Sequence, residues 1–425
     1  MSMEHYPLIV VGAGPAGFCA AVAAARMGVR TLLVEQYGAL GGAMTLGGVP
    51  YPMCFSNGKR QVIAGVGWEL IERLMKDGWA KGRGEAPYGC VDVDSTMTAC
   101  EMDCMVREAG AELLLNCKLC AATADGGRVV SAMFAAPEGL IELSADMWID
   151  ATGDGQLSAL SGAAFEMGDE QGEVQPGSAG FWMDGYRCKE VDHAAAAESF
   201  DEARRAKALL PGDYYGEDAW GVSELLLRHG YNVNHVEIAD VTAKSRTAAA
   251  LEGHARIRRL MNWAKQSVPS LASVHGAAIC PEVWPRESRR ILGEGYVTAE
   301  DYRNAVRYDD AVCCSYYPMD VHKKPKEGKA AFYLEQHRLS PEHVPCIPLS
   351  AMIVRGFENL LTAGRCISGD RMAQSAYRVQ ATCMAMGEAA ATAAAVQLLR
   401  GETMQTVRVQ EVVQALRRQG AIVPE

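Results

Sequence analysis

Leu8-Ile9-Val10-Val11-Gly12-Ala13-Gly14-Pro15-Ala16-Gly17 decides how this chain is read. Four apolar residues run into a glycine turn, and the turn opens a small-residue helix over residues 18–27. A second apolar run, 29–34, ends on Glu35. Strand, turn, helix, strand and acid therefore follow one another in the order of the βαβ dinucleotide fingerprint. Each piece has a physical role. Gly12 permits the tight turn, Gly14 lets the backbone approach a pyrophosphate, and Gly17 lets helix and strand pack closely. Pro15 and Ala16 complete the turn, the free N–H groups at the helix start suit phosphate, and Glu35 can accept hydrogen bonds from a ribose.

After Glu35 comes Gln36-Tyr37-Gly38-Ala39-Leu40-Gly41-Gly42. An acid, a short loop and a Gly-Gly pair resemble FAD-binding proteins of the glutathione-reductase-like superfamily, in which Gly41 and Gly42 would lie against the cofactor. Only glycine lets backbone pack flat on a phosphate or ring. Further on, Met147-Trp148-Ile149-Asp150 leads to Ala151-Thr152-Gly153, which resembles a second hallmark of that superfamily.

The resemblance extends over nearly the whole chain and is closest to the bacterial FAD-dependent oxidoreductases. It also rests on residues 285–291 (PRESRRI), 317–322 (YPMDVH) and the final block 359–390, with Gly364-Arg365 and Gly387-Glu388. It implies an α/β chain: a Rossmann-like FAD-binding domain of the glutathione-reductase type with an inserted α+β substrate domain. The FAD domain would comprise 1–164 and 344–425, and the insertion 165–343. It also implies site residues. Thr152 and Gly153 would lie on the adenine side, with Gly364 near the cofactor. Asp370 would bind the ribityl chain, and Arg378, Val379 and Gln380 would start a helix aimed at the flavin pyrimidine.

Two residues are candidates for substrate chemistry. Arg286 belongs to a basic cluster with Arg289 and Arg290, and its guanidinium fork matches a carboxylate. If the cluster is a strand, Arg286 and Arg290 share one face. His322 precedes a basic loop, residues 323–326, and a histidine can exchange a proton beside a hydride transfer near neutrality. Tyr302, Tyr316 and Tyr317 are weaker candidates.

Composition narrows the class. The net charge of −11 argues against nucleic acid or an anionic membrane as partner, because both favour a basic surface. The apolar runs 8–25 and 381–399 read as buried elements rather than membrane spans. Fourteen cysteines without a recognisable secretory signal read as cytoplasmic thiols. The Cys117/Cys120 pair falls in a predicted strand, 112–122, whereas a redox CxxC belongs at a helix N-terminus. No Cys/His spacing resembles a metal site. A second GxGxxG unit is absent, which counts against a separate nicotinamide domain.

The expected protein is thus an FAD enzyme that moves a hydride between a small organic molecule, anionic if Arg286 binds it, and flavin N5. The competing expectation is an FAD subunit passing electrons to a partner protein.

Overall fold

The computed structural model describes residues 4–210, 212–213, 219–232, 234–323, 333–337 and 339–424, without the side chains of 219–221 and 333–337. Strand β1, Glu4–Val11, runs through the glycine turn into helix α1, Pro15–Arg26, and strand β2, Thr31–Val34, follows. Helices α2, Val66–Lys76, and α3, Ser95–Ala109, come next, then strands β3, Glu112–Leu114, β4, Lys118–Asp125, β5, Arg128–Ala136, and β6, Gly139–Asp150. Far along the chain lie strand β7, Leu360–Thr362, and helices α4, Arg371–Tyr377, and α5, Gln380–Arg400.

The strands form one seven-stranded sheet in the order β3-β2-β1-β6-β5-β4, with β7 also on β6. Strands β3, β2, β1, β6 and β7 are parallel, and β6-β5-β4 is an antiparallel meander. The central strand is buried on both faces, which is why residues 8–11 are continuously apolar. Leu8 and Val10 enter a core with α1, α2, α3 and α5, while Ile9 and Val11 enter a second core with Trp148 and Phe134. This is a mixed α/β fold with a parallel, Rossmann-like core.

Several local readings change in the structure. The predicted strand 112–122 is two strands, because Asn116 adopts a left-handed φ of 58°, a conformation asparagine tolerates better than most residues. The segment 147–150 is the end of one long strand, Gly139–Asp150. Its first half pairs β5 and its second half pairs β7, so one edge serves two neighbours. The helix expected to start at Arg378, Val379 and Gln380 begins only at Gln380, since Val379 is extended (φ −69°, ψ 153°). Arg286 and Arg290 do not share a strand face: the strand is only Arg289–Ile291, paired with Phe165–Met167.

Residues 174–283 carry two smaller cores. One surrounds Phe181, Leu226 and Trp263, and the other Ala179, Val236 and Ile238. Ile291, Val297, Tyr302, Val312 and Met319 instead pack into the two cores of the main sheet.

Helix α5 is the only helix among the described residues long and apolar enough to cross a membrane, and 83% of the relevant window is buried inside the protein. It crosses α1 at almost no distance. A Cβ on Gly387 would lie 1.9 Å from the Ala16 carbonyl oxygen, so only glycine fits there. The next residue, Glu388, is buried, and its Oε2 accepts the backbone N–H of Val66 at 3.0 Å, at the start of α2. Burial pushes its carboxyl up to about 8.

That shift has a definite sign. The native state holds the Glu388 proton more tightly than the unfolded chain, so its contribution is fully present below about pH 4.5. It is lost as pH rises through about 8, at up to ~1.4 kcal/mol per pH unit. Glu388→Gln cannot titrate. Denaturant midpoints measured from pH 4.5 to 8.5 should therefore show wild type losing stability relative to the variant as pH rises. Parallel curves would contradict the assignment.

Candidate active site

A single cavity of about 470 Å³ runs along the C-terminal ends of the parallel strands, where open α/β sheets place their ligands. Its first end is lined by Glu35, Gln36, Tyr37, Cys117, Thr152 and Gly153. Both Glu35 oxygens are fixed by the chain: the Ala13 N–H donates to one at 2.6 Å and the Tyr37 N–H to the other at 3.0 Å. Each carboxylate oxygen retains capacity for a second donor. Burial pushes the Glu35 carboxyl up, opposed by these backbone hydrogen bonds. The Ala-Thr-Gly turn is built by buried Asp150, which accepts the Thr152 N–H at 3.1 Å, the Thr152 hydroxyl at 2.7 Å and the Ser158 N–H and hydroxyl at 2.8 Å each.

The middle of the cavity is lined by Gly12, Gly14, Pro15, Ala16, Gly42 and Gly364. Gly12 has φ +95°, and a Cβ there would sit 2.7 Å from the Ala151 carbonyl oxygen. A Cβ on Gly14 meets nothing within 4 Å, so any side chain there would enter the cavity itself. Gly17 and Gly41 are not in the lining. A Cβ on Gly17 would lie 1.7 Å from the Gly12 carbonyl oxygen, so this glycine serves helix packing. Gly41 turns with φ +99° and donates its N–H to the Ala13 carbonyl at 2.8 Å, which folds the Gly-Gly pair back onto the first turn.

The far end collects Arg286, Asp320, His322, Arg378, Val379 and Gln380, with Tyr51, His235 and Tyr317, whereas the Trp284 ring stands 6.3 Å from that of Tyr37. The break at Val379 now has a purpose: α5 begins there, with its positive dipole end at the cavity. Among the described residues, buried side-chain atoms of this end without a hydrogen-bond partner include Asp320 Oδ1, Arg378 Nε and Gln380 Oε1. Buried polar groups require partners, so this end is built to meet a polar ligand edge offering both donors and acceptors. The isoalloxazine pyrimidine is such an edge.

The two substrate candidates meet here. His322 is held in strand Met319–Lys323 rather than in a loop, and the basic residues 324–326 after it lie outside the described residues. Its Nε2 is 3.6 Å from Asp320 Oδ2, and its ring meets that of His235 edge-on at 5.0 Å. Arg286 is 9% exposed and donates to the Pro176 carbonyl at 2.9 Å and to His235 Nε2 at 2.6 Å. Burial and the Arg286 charge push His322 down to about 3, against the pull of Asp320. Burial alone would raise Asp320, but His322 and Arg378 outweigh it and hold the carboxyl at about 2. At neutral pH the cluster is thus a neutral histidine beside one carboxylate and two guanidinium groups.

Asp370 is not among the lining residues and is tied to the chain at both oxygens. Its Oδ1 accepts the Ala373 N–H at 2.8 Å, capping α4, and its Oδ2 accepts the Ala299 N–H at 2.6 Å. Arg290 is also structural, donating to Glu287 at 2.7 Å and to the Gly369 and Gly168 carbonyls at 3.1 Å each. Tyr302 and Tyr316 do not line the cavity, whereas Tyr317 does, with its hydroxyl 3.2 Å from Asp320. Among the described residues no group of three or more His, Cys, Asp or Glu could hold a metal ion.

Several lining residues escaped the sequence reading. Arg365 lies beside Gly153 and donates to Asp154 at 2.5 Å and to the Pro285 carbonyl at 2.9 Å. Its place next to Gly364 was a usable signal. Trp284 had a similar one in the neighbouring Pro285-Arg286. His235 had none.

The sequence profile of the family described as FAD dependent oxidoreductase matches residues 7–416. The chain belongs to this family. It is therefore an FAD-dependent oxidoreductase, with FAD as its cofactor. A curated dihydrolipoyl dehydrogenase of Trypanosoma brucei brucei is 48% identical over 46 residues, which is 11% of this chain and 10% of that protein. The chain thus matches about a tenth of that relative's length. Among solved structures it is similar to a geranylgeranyl bacteriochlorophyll reductase-like protein from Thermoplasma acidophilum, at 12% identity and a TM-score of 0.45, covering 99% of this chain and 83% of that one. It is also similar to a p-nitrophenol 4-monooxygenase from Pseudomonas putida, at 12% identity and a TM-score of 0.43, covering 97% and 84%.

Gly14 gives the direct mutational test of the cofactor cradle. Gly14→Val should fold, since no protein atom opposes the new Cβ, yet lose its FAD. Flavin released on denaturation, measured per protein chain, should fall to background. Glu35→Ala should lose less, about 1.5–3 kcal/mol of FAD binding. Equal flavin content in Gly14→Val and wild type would refute the placement.

Proposed function

We propose that this FAD-dependent oxidoreductase transfers a hydride between a small organic anion and flavin N5, in a fold of the glutathione-reductase type. The single observation behind the reading is the pairing of a neutral histidine with buried arginines at the end of the cavity where α5 begins. FAD supplies the two-electron acceptor or donor when bound; the residues of the chain supply the rest. Glu35 would hold the ribose, and Gly12, Gly14, Pro15, Ala16 and Gly364 the pyrophosphate. Gln36, Gly42, Thr152 and Gly153 would flank the adenosine side and the middle. Arg378, Val379 and Gln380 would meet the pyrimidine edge.

Arg286 would anchor an anionic group of the substrate, since a buried guanidinium favours a charge partner and offers a planar fork. His322 would move the substrate's proton. The Asp320 carboxylate faces Nε2, which assigns the Nε2–H tautomer and leaves Nδ1 as the basic atom. In the oxidising direction, Nδ1 accepts the hydroxyl or amine proton of the substrate as its hydride departs; in the reducing direction it returns that proton.

We further divide the chain functionally at about residue 285, rather than at the expected 343. The separate cores of 174–283 would form the substrate-side unit, and the segment carrying His322 would belong to the FAD-side unit. Asn232 and His235 would then meet Arg286, Asp320 and His322 across that division.

The test uses any substrate that bleaches the bound flavin anaerobically. His322→Ala should keep its yellow colour and lose flavin reduction by roughly 10²–10⁴-fold. Arg286→Lys keeps the charge but loses the fork and should raise KM with flavin content unchanged. Because His322 is held near 3, wild-type reduction rates should show no acid limb from this group between about pH 5 and 8. A limb centred near the ordinary histidine value of 6.5, removed by His322→Ala, would contradict the burial argument. Full activity in His322→Ala would remove the residue from the mechanism.

A further inference from the structure

Arg286 and His235 lie 51 residues apart in sequence. The Arg286 Nη2 lies 2.6 Å from His235 Nε2, while its Nη1 donates to the Pro176 carbonyl at 2.9 Å. A guanidinium has five donors and no acceptor, and it keeps its charge in proteins. His235 Nε2 must therefore be the acceptor. The ring is neutral and carries its proton on Nδ1. An imidazolium would place an N–H against an N–H and one cation against another, so the bond requires unprotonated His235.

The surroundings hold the ring in that state. Arg286 faces Nε2, the His322 ring meets it edge-on at 5.0 Å, and Arg256 donates to the His235 carbonyl. Arg378 adds a further positive charge nearby. Burial first, and these positive neighbours second, push His235 well below 6.5. His235 itself sits on a two-residue strand paired with Gly177–Ser178, close to the Pro176 carbonyl that takes the other arm of Arg286. The two acceptors thus come from adjacent pieces of one small sheet, and together they fix the plane of the guanidinium.

We propose that His235 is a positioning residue for anion recognition: by accepting from Arg286 it sets the edge that the guanidinium presents to a carboxylate-type group of the substrate. The proposal rests on the reading of Arg286 as the substrate anchor. It adds that substrate affinity depends on an acceptor at position 235 and on the Nδ1–H tautomer there.

The experiment uses the FAD-bound protein with 15N-labelled histidine. His235→Gln identifies the resonance by its loss. The expected spectrum shows neutral, Nδ1-protonated His235 from about pH 5 to 8; an Nε2-protonated ring, or titration near 6.5, overturns the proposal. Acetate, benzoate and sulfate then serve as anion probes, followed through the flavin absorbance. His235→Phe keeps a planar ring without an acceptor and should weaken anion binding by about tenfold or more at unchanged flavin content. His235→Gln restores an acceptor oxygen and should recover most of the affinity. If His235→Phe binds like wild type while Arg286→Gln does not bind, the positioning role falls and the anchor reading stands. If Arg286→Gln also binds like wild type, or none of the three anions binds wild type, both fall.

Discussion

The crossing of α1 and α5 is the contact on which the site depends. Gly387 lies against the backbone of Ala16, where a single added carbon would stand 1.9 Å from a carbonyl oxygen. Ala16 is also in the cavity wall, as the second residue of the helix that starts at the glycine fingerprint. The same crossing brings the Gly364 turn to within 3.3 Å of Ala16, measured from the position of a Gly364 Cβ. Two segments more than 300 residues apart thereby become neighbouring parts of one cavity wall. Close packing of this kind has little tolerance for added volume, which explains the run of alanine and glycine on both helices.

From that crossing the electrostatics follow. The start of α5 is fixed at the cavity by the extended Val379, and its neighbour Arg378 reaches back to the Asp320 carbonyl at 3.1 Å. Asp320 in turn stands beside His322. The buried cations therefore act twice: they hold Asp320 ionised and they hold the histidines neutral. A site arranged this way favours an anion without needing a protonated histidine.

The legible part of this protein was the part governed by local backbone chemistry. The strand-turn-helix of 8–26 could be read because glycine positions, apolar runs and the acid at 35 have one common structural solution. Helix α3 is bounded in the same local way, because Asp94 caps it and Gly110 ends it with φ +83°. Asp370 shows the opposite case. An acid before a helix looks alike in sequence whether it only caps the helix or also reaches a ligand, and its bond to the Ala299 N–H at 2.6 Å had no sequence signal. His235 was illegible for a different reason. Its strand has two residues, its partner Arg286 stands on no regular element, and no periodicity links them. The position of Arg286 in the cavity was foreseeable from its block, but not the strand face it was expected to share with Arg290.

The most direct measurement is a crystal structure of the purified protein with its FAD. The account predicts the adenosine ribose at Glu35, the pyrophosphate over Gly14, and the isoalloxazine pyrimidine against Arg378–Gln380, with Arg286 and His322 within reach of the ring. A flavin whose isoalloxazine points away from α5, leaving Arg286 and His322 remote from it, would contradict the account.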